Sequence, residues 1–346
     1  MKLAWWKLLA IPMMLYVILA GTLIPLKPGI YTYSPTRITA YEDEKIKIQG
    51  YNTHFEAGET KVWVKLLNDR MVPAHRVNVI NETNLEASFK FTTDFVREDP
   101  AFADATLIVD TPSDGYSIAP NLRLKASEVK NRFGVFMDTY PLTRLTQVDD
   151  FKLPFRQILH ETIRNTFFHV AIWMAMFLLL LVSCYHSIQY LRKGDLAADR
   201  TSASLTSVGL FFGIAGLLTG SMWAKFTWGT FWTNDIKLNM SAIAMLIYFA
   251  YWLLRNSISD IDSRARTSSV YNLFAFTSLM ILVMVIPRFS DSLHPGNGGN
   301  PAFAGEDLDS TLRAVFYPAI IAYTLLGFWM AQLYRRYLDL LYNHND

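Results

Sequence analysis

Cysteine is nearly missing from this chain of 346 residues, with Cys184 the single one. One thiol excludes an internal disulfide, a cysteine-based zinc site and a cofactor attached covalently through a CxxCH motif. Charge is scarce as well: Asp, Glu, Lys and Arg make up 18% of the residues, against roughly 25% in soluble domains. Neither sign prevails, with 32 basic and 30 acidic residues and a net charge of +2, so no global field recruits nucleic acid or another polyanion. The sequence also lacks internal repeats, low-complexity runs, a Gly-rich phosphate loop, an HExxH pair and a nucleophile elbow. With no catalytic constellation present, enzymatic chemistry is not expected of it.

Apolar residues, at 51%, and aromatics, at 14% with 9 Trp, fill the space that charge leaves. They are clustered. Uncharged stretches run Leu8–Leu26, Asn165–Leu191, Thr201–Ala224, Leu238–Leu254, Thr267–Pro287 and Ala314–Tyr334. A helix needs about 20 such residues to cross a bilayer's hydrocarbon, so the pattern predicts six transmembrane helices. The first stretch follows Lys2 and Lys7 as a signal peptide would. It ends in Pro25-Leu26-Lys27-Pro28 rather than a small-residue cleavage site, and reads as a retained anchor. With both termini inside, one face carries Lys2, Lys7, Arg192, Lys193, Arg200, Arg255, Arg264, Arg266, Arg335 and Arg336. The short loops of the other face carry only Lys225, Lys237, Arg288 and Arg313, which fits the positive-inside rule.

The stretch between the first two spans reads as an extracytoplasmic domain, periplasmic in a bacterium with two membranes. Lys45–Gln49, Arg76–Ile80, Lys61–Leu66 and Ala105–Val109 are strand-like, and Leu85, Ala87, Phe89 and Phe91 alternate with period two. Turn signals separate them at Gly50, Ala57-Gly58, Asn68-Asp69, Asn81-Glu82 and Ser113-Asp114-Gly115. Short strands at this spacing predict a β-sandwich of immunoglobulin-like type. The expected architecture is therefore an all-α polytopic bundle, N-in and C-in, with a β-sandwich inserted between helices 1 and 2. Its segments are an anchor over 1–26, the β-domain over 27–155, a five-helix bundle over 156–336 and a cytoplasmic tail over 337–346 that includes His344.

Two histidines fall at the same depth on the outer side: His169 at the start of the second span and His294 in the loop after the fifth. Read singly, each is an ordinary interfacial imidazole. Read together, they suit the two axial positions of a haem iron. Between spans three and four lie Trp223, Phe226, Trp228, Phe231 and Trp232, followed by Asp235 and Lys237. An interfacial aromatic belt and a flat platform for a porphyrin both account for them. If that loop is helical, Trp228, Trp232 and Asp235 share a face at i, i+4 and i+7.

The run Thr219-Gly-Ser-Met-Trp223-Ala-Lys-Phe-Thr-Trp228-Gly-Thr-Phe-Trp232-Thr-Asn-Asp235-Ile-Lys-Leu238 resembles the tryptophan-rich WWD signature of haem-handling membrane proteins. Within that superfamily it is most similar to the CcmC family of cytochrome c maturation. Arg164-Asn-Thr-Phe-Phe-His169-Val-Ala-Ile-Trp173 and Ser292-Leu-His294-Pro-Gly296 resemble the family's two segments that carry external histidines. The likeness spans roughly 156–336.

The resemblance implies non-covalent b-type haem held by His169 and His294, a haem-contacting loop of Trp223, Trp228, Trp232 and Asp235, and propionate partners at Arg164 and Lys237, with Arg288 leading into the His294 loop. Asp235, acceptor-only when ionised, would orient the loop or contact an acceptor rather than touch iron. The implied partners are a periplasmic haem chaperone like CcmE, ABC-type subunits like CcmA and CcmB, and a small membrane subunit like CcmD. Phe231 and Asn234 replace two tryptophans of the fullest signature, Lys237 stands where Arg is usual, and the β-domain is an addition to the family's common layout. A cytochrome c synthase-type delivery subunit would need a second intramembrane histidine beside His186, which the sequence lacks. A sensor or scaffold without haem is the remaining alternative.

Overall fold

The computed structural model describes residues 4–39, 43–65, 70–90, 102–125, 140–148, 150–157, 159–294 and 308–343. Phe91, Asn68-Asp69, Pro295-Gly296 and His344 lie outside them. The chain forms two compact units, one of 1–24 with 161–346 and one of 25–160.

The first unit is helical: α1 (Trp5–Leu23), α2 (His169–Lys193), α3 (Leu196–Trp228), α4 (Ile236–Ser257), α5 (Ile261–Met280) and α6 (Ser310–Asn343). All six are long and apolar enough to cross a membrane. Local chemistry sets their ends. Asp195, Asp235 and Asp260 precede α3, α4 and α5, and each carboxylate accepts backbone N–H groups of the first turn. Asp309 does the same for α6 through Leu312 N. These are orphan donors that a carboxylate satisfies well. Gly194 and Gly229 take φ of 68° and 84° and stop α2 and α3, a conformation that costs glycine little.

α2 runs through the centre, packed on α3, α5 and α6, while α1 lies along α6. The α2–α3 contact is a ladder of glycines. A Cβ on Gly209 would strike Leu180, one on Gly213 would strike Met176 and Met245, one on Gly216 would strike Trp173, and one on Gly220 would strike His169. Spacing of 4, 3 and 4 residues keeps all four glycines on one face of α3. Without Cβ atoms the backbones approach closely, the usual route to tight helix pairing in lipid. Deeper in the bundle, Ser183, Ser187, Ser202, Thr206 and Asn272 form a buried hydrogen-bonded cluster.

Nearby, Arg255 Nη1 and Nη2 donate to Asp199 Oδ1 and Oδ2 at 2.8 and 2.6 Å, and both side chains are buried. A carboxylate left alone there would lose its counter-charge and two hydrogen bonds. Arg255→Met is expected to destabilise the bundle by about 3–5 kcal/mol, whereas Asp199→Leu with Arg255→Met costs much less. Thermal unfolding of the purified variants in detergent checks the difference.

The second unit is two sheets. One has the order β1 (Gly29–Ser34), β3 (Glu44–Tyr51), β7 (Asn84–Phe89), β6 (Arg76–Asn81). The other has the order β10 (Tyr140–Pro141), β5 (Arg70–Pro73), β4 (Lys61–Lys65), β8 (Phe102–Thr111), β9 (Gly115–Lys125), β2 (Arg37–Thr39). Pairing is antiparallel except for β2 on β9. Ile46, Ile48, Leu85 and Phe89 from the first sheet share one core with Val62, Val64, Leu107 and Leu122 from the second, so alternate residues of each strand face inward. Gly50 is not a turn. It lies within β3 opposite Ile30, and a Cβ there would come within 2.2 Å of Thr53 Oγ1, so close packing rather than chain reversal requires the glycine.

Candidate functional site

At one end of the bundle the chain brings together the start of α2, the end of α3, the start of α4 and the segment after α5. His169 is the last knob of the glycine ladder, and its ring fits because Gly220 has no side chain. Its Nδ1 lies 3.0 Å from Gly216 O and 3.2 Å from Thr219 Oγ1. A carbonyl can only accept, so Nδ1 carries the proton and Nε2 keeps its lone pair.

His294 arrives by a different route. α5 gives way to a π-helical turn over Ile281–Val285 and a 3-10 turn over Ile286–Phe289 that contains Pro287. Proline cannot continue the ladder of helix hydrogen bonds, and the chain then crosses to Asp235. That carboxylate does three things. Its Oδ1 caps α4 by accepting from Lys237 N and Leu238 N. Its Oδ2 accepts from Leu293 N at 2.8 Å. Its Oδ1 also lies 3.3 Å from His294 Nδ1. The carboxylate thus ties the tryptophan loop to the histidine segment and fixes the second imidazole with Nδ1 as donor. Both histidines therefore present Nε2.

Charge agrees with this tautomer. Burial opposes ionisation of Asp235, but the Leu293 N–H, the Ser292 hydroxyl, His294 and the Lys237 N–H outweigh it and hold the carboxyl below its ordinary value. For His294, burial and the Lys237 ammonium outweigh the attraction of Asp235, and its pKa lies below 6.5. His294 is neutral at pH 7, as a metal ligand must be. The two imidazoles are within electrostatic range of one another.

Tryptophans flank both rings. Trp223 meets His169 edge-on at 5.7 Å, and Trp228 meets His294 at 4.9 Å. Trp223 Nε1 donates to Thr162 Oγ1. The loop is not a continuous helix: α3 stops at Gly229, and Asp235 is the cap of the next helix. Trp228, Trp232 and Asp235 therefore do not form one helical face. Trp232 is 43% exposed, with its Nε1–H on Asn239 Oδ1, and Asn239 Nδ2 in turn donates to Asn234 Oδ1. Exposed Phe226, Phe231, Phe289 and Leu293 surround this end.

The three cations are placed differently. Arg164 donates to Gly21 O and Ile24 O at the end of α1 and pairs with Glu161, so it anchors α1 against α2. Lys237 is half-buried beside Asp235, and Arg288 is exposed. The other described histidines lie elsewhere. His54 pairs with Asp114 and His75 with Asp43, His160 stacks on Phe155, and His186 lies beside Tyr185.

Gly216, Thr219, Gly220 and Ser292 belong to the site, although no ligand or charge pattern marks them. The regular spacing of Gly209, Gly213, Gly216 and Gly220 is the signal that finds the first and third. Gly220→Ala places a Cβ 2.6 Å from His169 Cε1. The expected result is a folded bundle with a rotated imidazole and about tenfold or more weaker haem binding. Haem titration followed by absorbance checks it.

A sequence profile of the heme exporter protein C family, CcmC, matches residues 152–343, more than half of the chain. The chain belongs to that family. Heme exporter protein C of Bradyrhizobium diazoefficiens is 28% identical over 166 residues, 48% of this chain and 62% of the relative. Its counterpart in Paracoccus denitrificans is 27% identical over 170 residues, covering 49% and 68%. That of Escherichia coli K12 is 24% identical over 181 residues, covering 51% and 71%. The chain thus spans about six to seven tenths of these relatives' lengths, and the family match includes every residue of the site described above. The 25–151 stretch, most of the β unit, lies outside the family match.

Proposed function

We propose that this protein binds haem at the outer face of the inner membrane and presents it to a periplasmic haem chaperone for cytochrome c maturation. The observation that carries the reading is the matched pair of imidazoles, each with Nδ1 held as a donor and Nε2 left with its lone pair. Two nitrogens complete only a metal that brings its other ligands with it, as porphyrin iron does. Haem is the cargo here, and this chain makes and breaks no covalent bond. Trp223 and Trp228 brace the imidazoles, and the exposed Trp232, Phe231 and Phe289 give the flat porphyrin an apolar surface. Lys237 and Arg288 supply positive charge for the propionates, and Arg164 contributes what its fork retains beyond the α1 carbonyls. Both termini lie in the cytoplasm, and the β unit is an immunoglobulin-like sandwich in the periplasm. CcmE-like, CcmA/CcmB-like and CcmD-like proteins are the partners this reading calls for.

The test separates holding haem from handing it on. Trp228→Ala with Trp232→Ala should leave haem on the two histidines yet stop its appearance on the chaperone and in mature c-type cytochrome. Haem staining of cells that rely on each variant is the measurement. Normal maturation without both tryptophans would reduce the loop to an interfacial belt and remove the support for presentation.

A further inference from the structure

The β unit carries a pocket of about 200 Å³ that the haem reading does not use. Lys61 and Trp63 reach it from β4, Asp110 from β8, and Arg144 and Thr146 from the segment after β10, with Glu59 at the rim. Lys61 and Asp110 are direct cross-strand partners, so the sheet register itself sets opposite charges side by side.

Two charged side chains mark it as built for a ligand, beside a wall formed by Trp63, which is 6% exposed. The Arg144 guanidinium carbon lies 4.2 Å from the Tyr140 ring centroid, a cation–π contact that holds the side chain in place while its N–H groups can meet a planar acceptor. Asp110 is 6% exposed and accepts from Thr146 N at 3.2 Å through Oδ1. No cation among the described residues pairs with it, although a nearly buried carboxylate favours one. Lys61, by contrast, already has Glu59 at 3.6 Å.

Donors for a carboxylate therefore stand beside an acceptor for an ammonium, in a space the size of a small metabolite. We propose that this pocket binds a free α-amino acid: its carboxylate on the Arg144 fork, its ammonium on Asp110. Opposite charges on one small molecule match a pocket whose own charges sum to zero. The β unit is then a ligand-binding module attached to the membrane bundle, and the inference stands whether or not the bundle carries haem.

The probes are L-alanine and L-glutamate, with acetate and methylammonium as the two halves of the zwitterion. They are titrated into the purified full chain in detergent, with binding read by calorimetry and by the Trp63 indole resonance, assigned through Trp63→Phe. Saturable binding of at least one amino acid is expected, together with at least tenfold weaker binding of either half. Arg144→Gln and Asp110→Asn should each weaken the amino acid by about tenfold or more, the size of one charge-assisted hydrogen bond. Asparagine retains the acceptor for Thr146 N, so that variant tests charge rather than folding. No saturation of either amino acid by about 50 mM, well past the millimolar range of one ion pair and one hydrogen bond, would overturn the proposal. So would acetate binding as tightly as the amino acid, or binding indifferent to both substitutions.

Discussion

Replacing His169 and His294 together by Ala is expected to abolish the low-spin haem spectrum of the purified protein. Each single substitution should convert it to a high-spin form or remove it. The two imidazoles are the only histidines of the helical unit at that end of the bundle among the described residues, and both offer Nε2 because Nδ1 is committed elsewhere. His54→Ala and His75→Ala should leave the spectrum unchanged, since their rings pair with carboxylates of the β unit. Acid should act in the same direction as the double substitution. His294 has its pKa lowered by burial, so its neutral, ligating form is complete above the ordinary value of 6.5. The folded arrangement loses stability as pH falls below 6.5 and through the lowered value. Asp235, also lowered, adds a second loss as pH drops below 3.8. An absorbance titration from pH 8 downward should show haem released in that order. A spectrum that survives in the double variant would remove the axial assignment.

Asp235→Ala should have the next largest effect, because one carboxylate serves three elements. It removes the cap of α4, worth about 0.5–2 kcal/mol, the anchor of Leu293 N and the partner of His294 Nδ1. Loss of an outer partner of a metal-ligating imidazole typically costs 10- to 100-fold in affinity, and the freed 293–294 segment should add to that. Asp235→Asn separates the contributions. Asparagine caps a helix as well as aspartate, but its amide nitrogen cannot accept from Leu293 N and it cannot hold the imidazole with a full negative charge. Its thermal stability should fall less than that of Asp235→Ala, because the cap is kept, while haem affinity falls by about tenfold or more. Equal haem affinity in wild type and both variants would show that Asp235 only shapes the loop.

Much of this molecule is local in origin. Each uncharged stretch became a helix because a run of that length in lipid must satisfy its backbone internally, and aspartates and glycines at the ends mark the boundaries. Period-two alternation over Lys45–Gln49 and Leu85–Phe89 became strands with one buried face. The histidines and tryptophans of the site were legible as residue types at fixed places in the order of spans. The ladder at Gly209, Gly213, Gly216 and Gly220 is likewise written in the spacing.

Other features depend on residues far apart in the chain. Gly50 reads as a turn, but within β3 it makes room for Thr53. The chain from Gly229 to Asn234 leaves the helix because Gly229 ends α3 in a left-handed turn and Asp235 is committed to starting α4, and the i, i+4, i+7 spacing of Trp228, Trp232 and Asp235 alone does not distinguish that from a helix that runs on. Asp235 and His294 are 59 positions apart and meet only because α4 and α5 pack side by side. Arg255 looks like one more cation of a membrane face until α3 places Asp199 against it. The amino-acid sequence by itself determined which segments cross a membrane, which form sheets and which side chains can hold a metal or stack on a ring, because these follow from local hydropathy, periodicity and chemical type. The tertiary structure alone decided which nitrogen of each histidine is free, which carboxylate holds it and which charges are buried in pairs, because a hydrogen bond is specific to a few tenths of an ångström and only the packed bundle fixes distances at that scale.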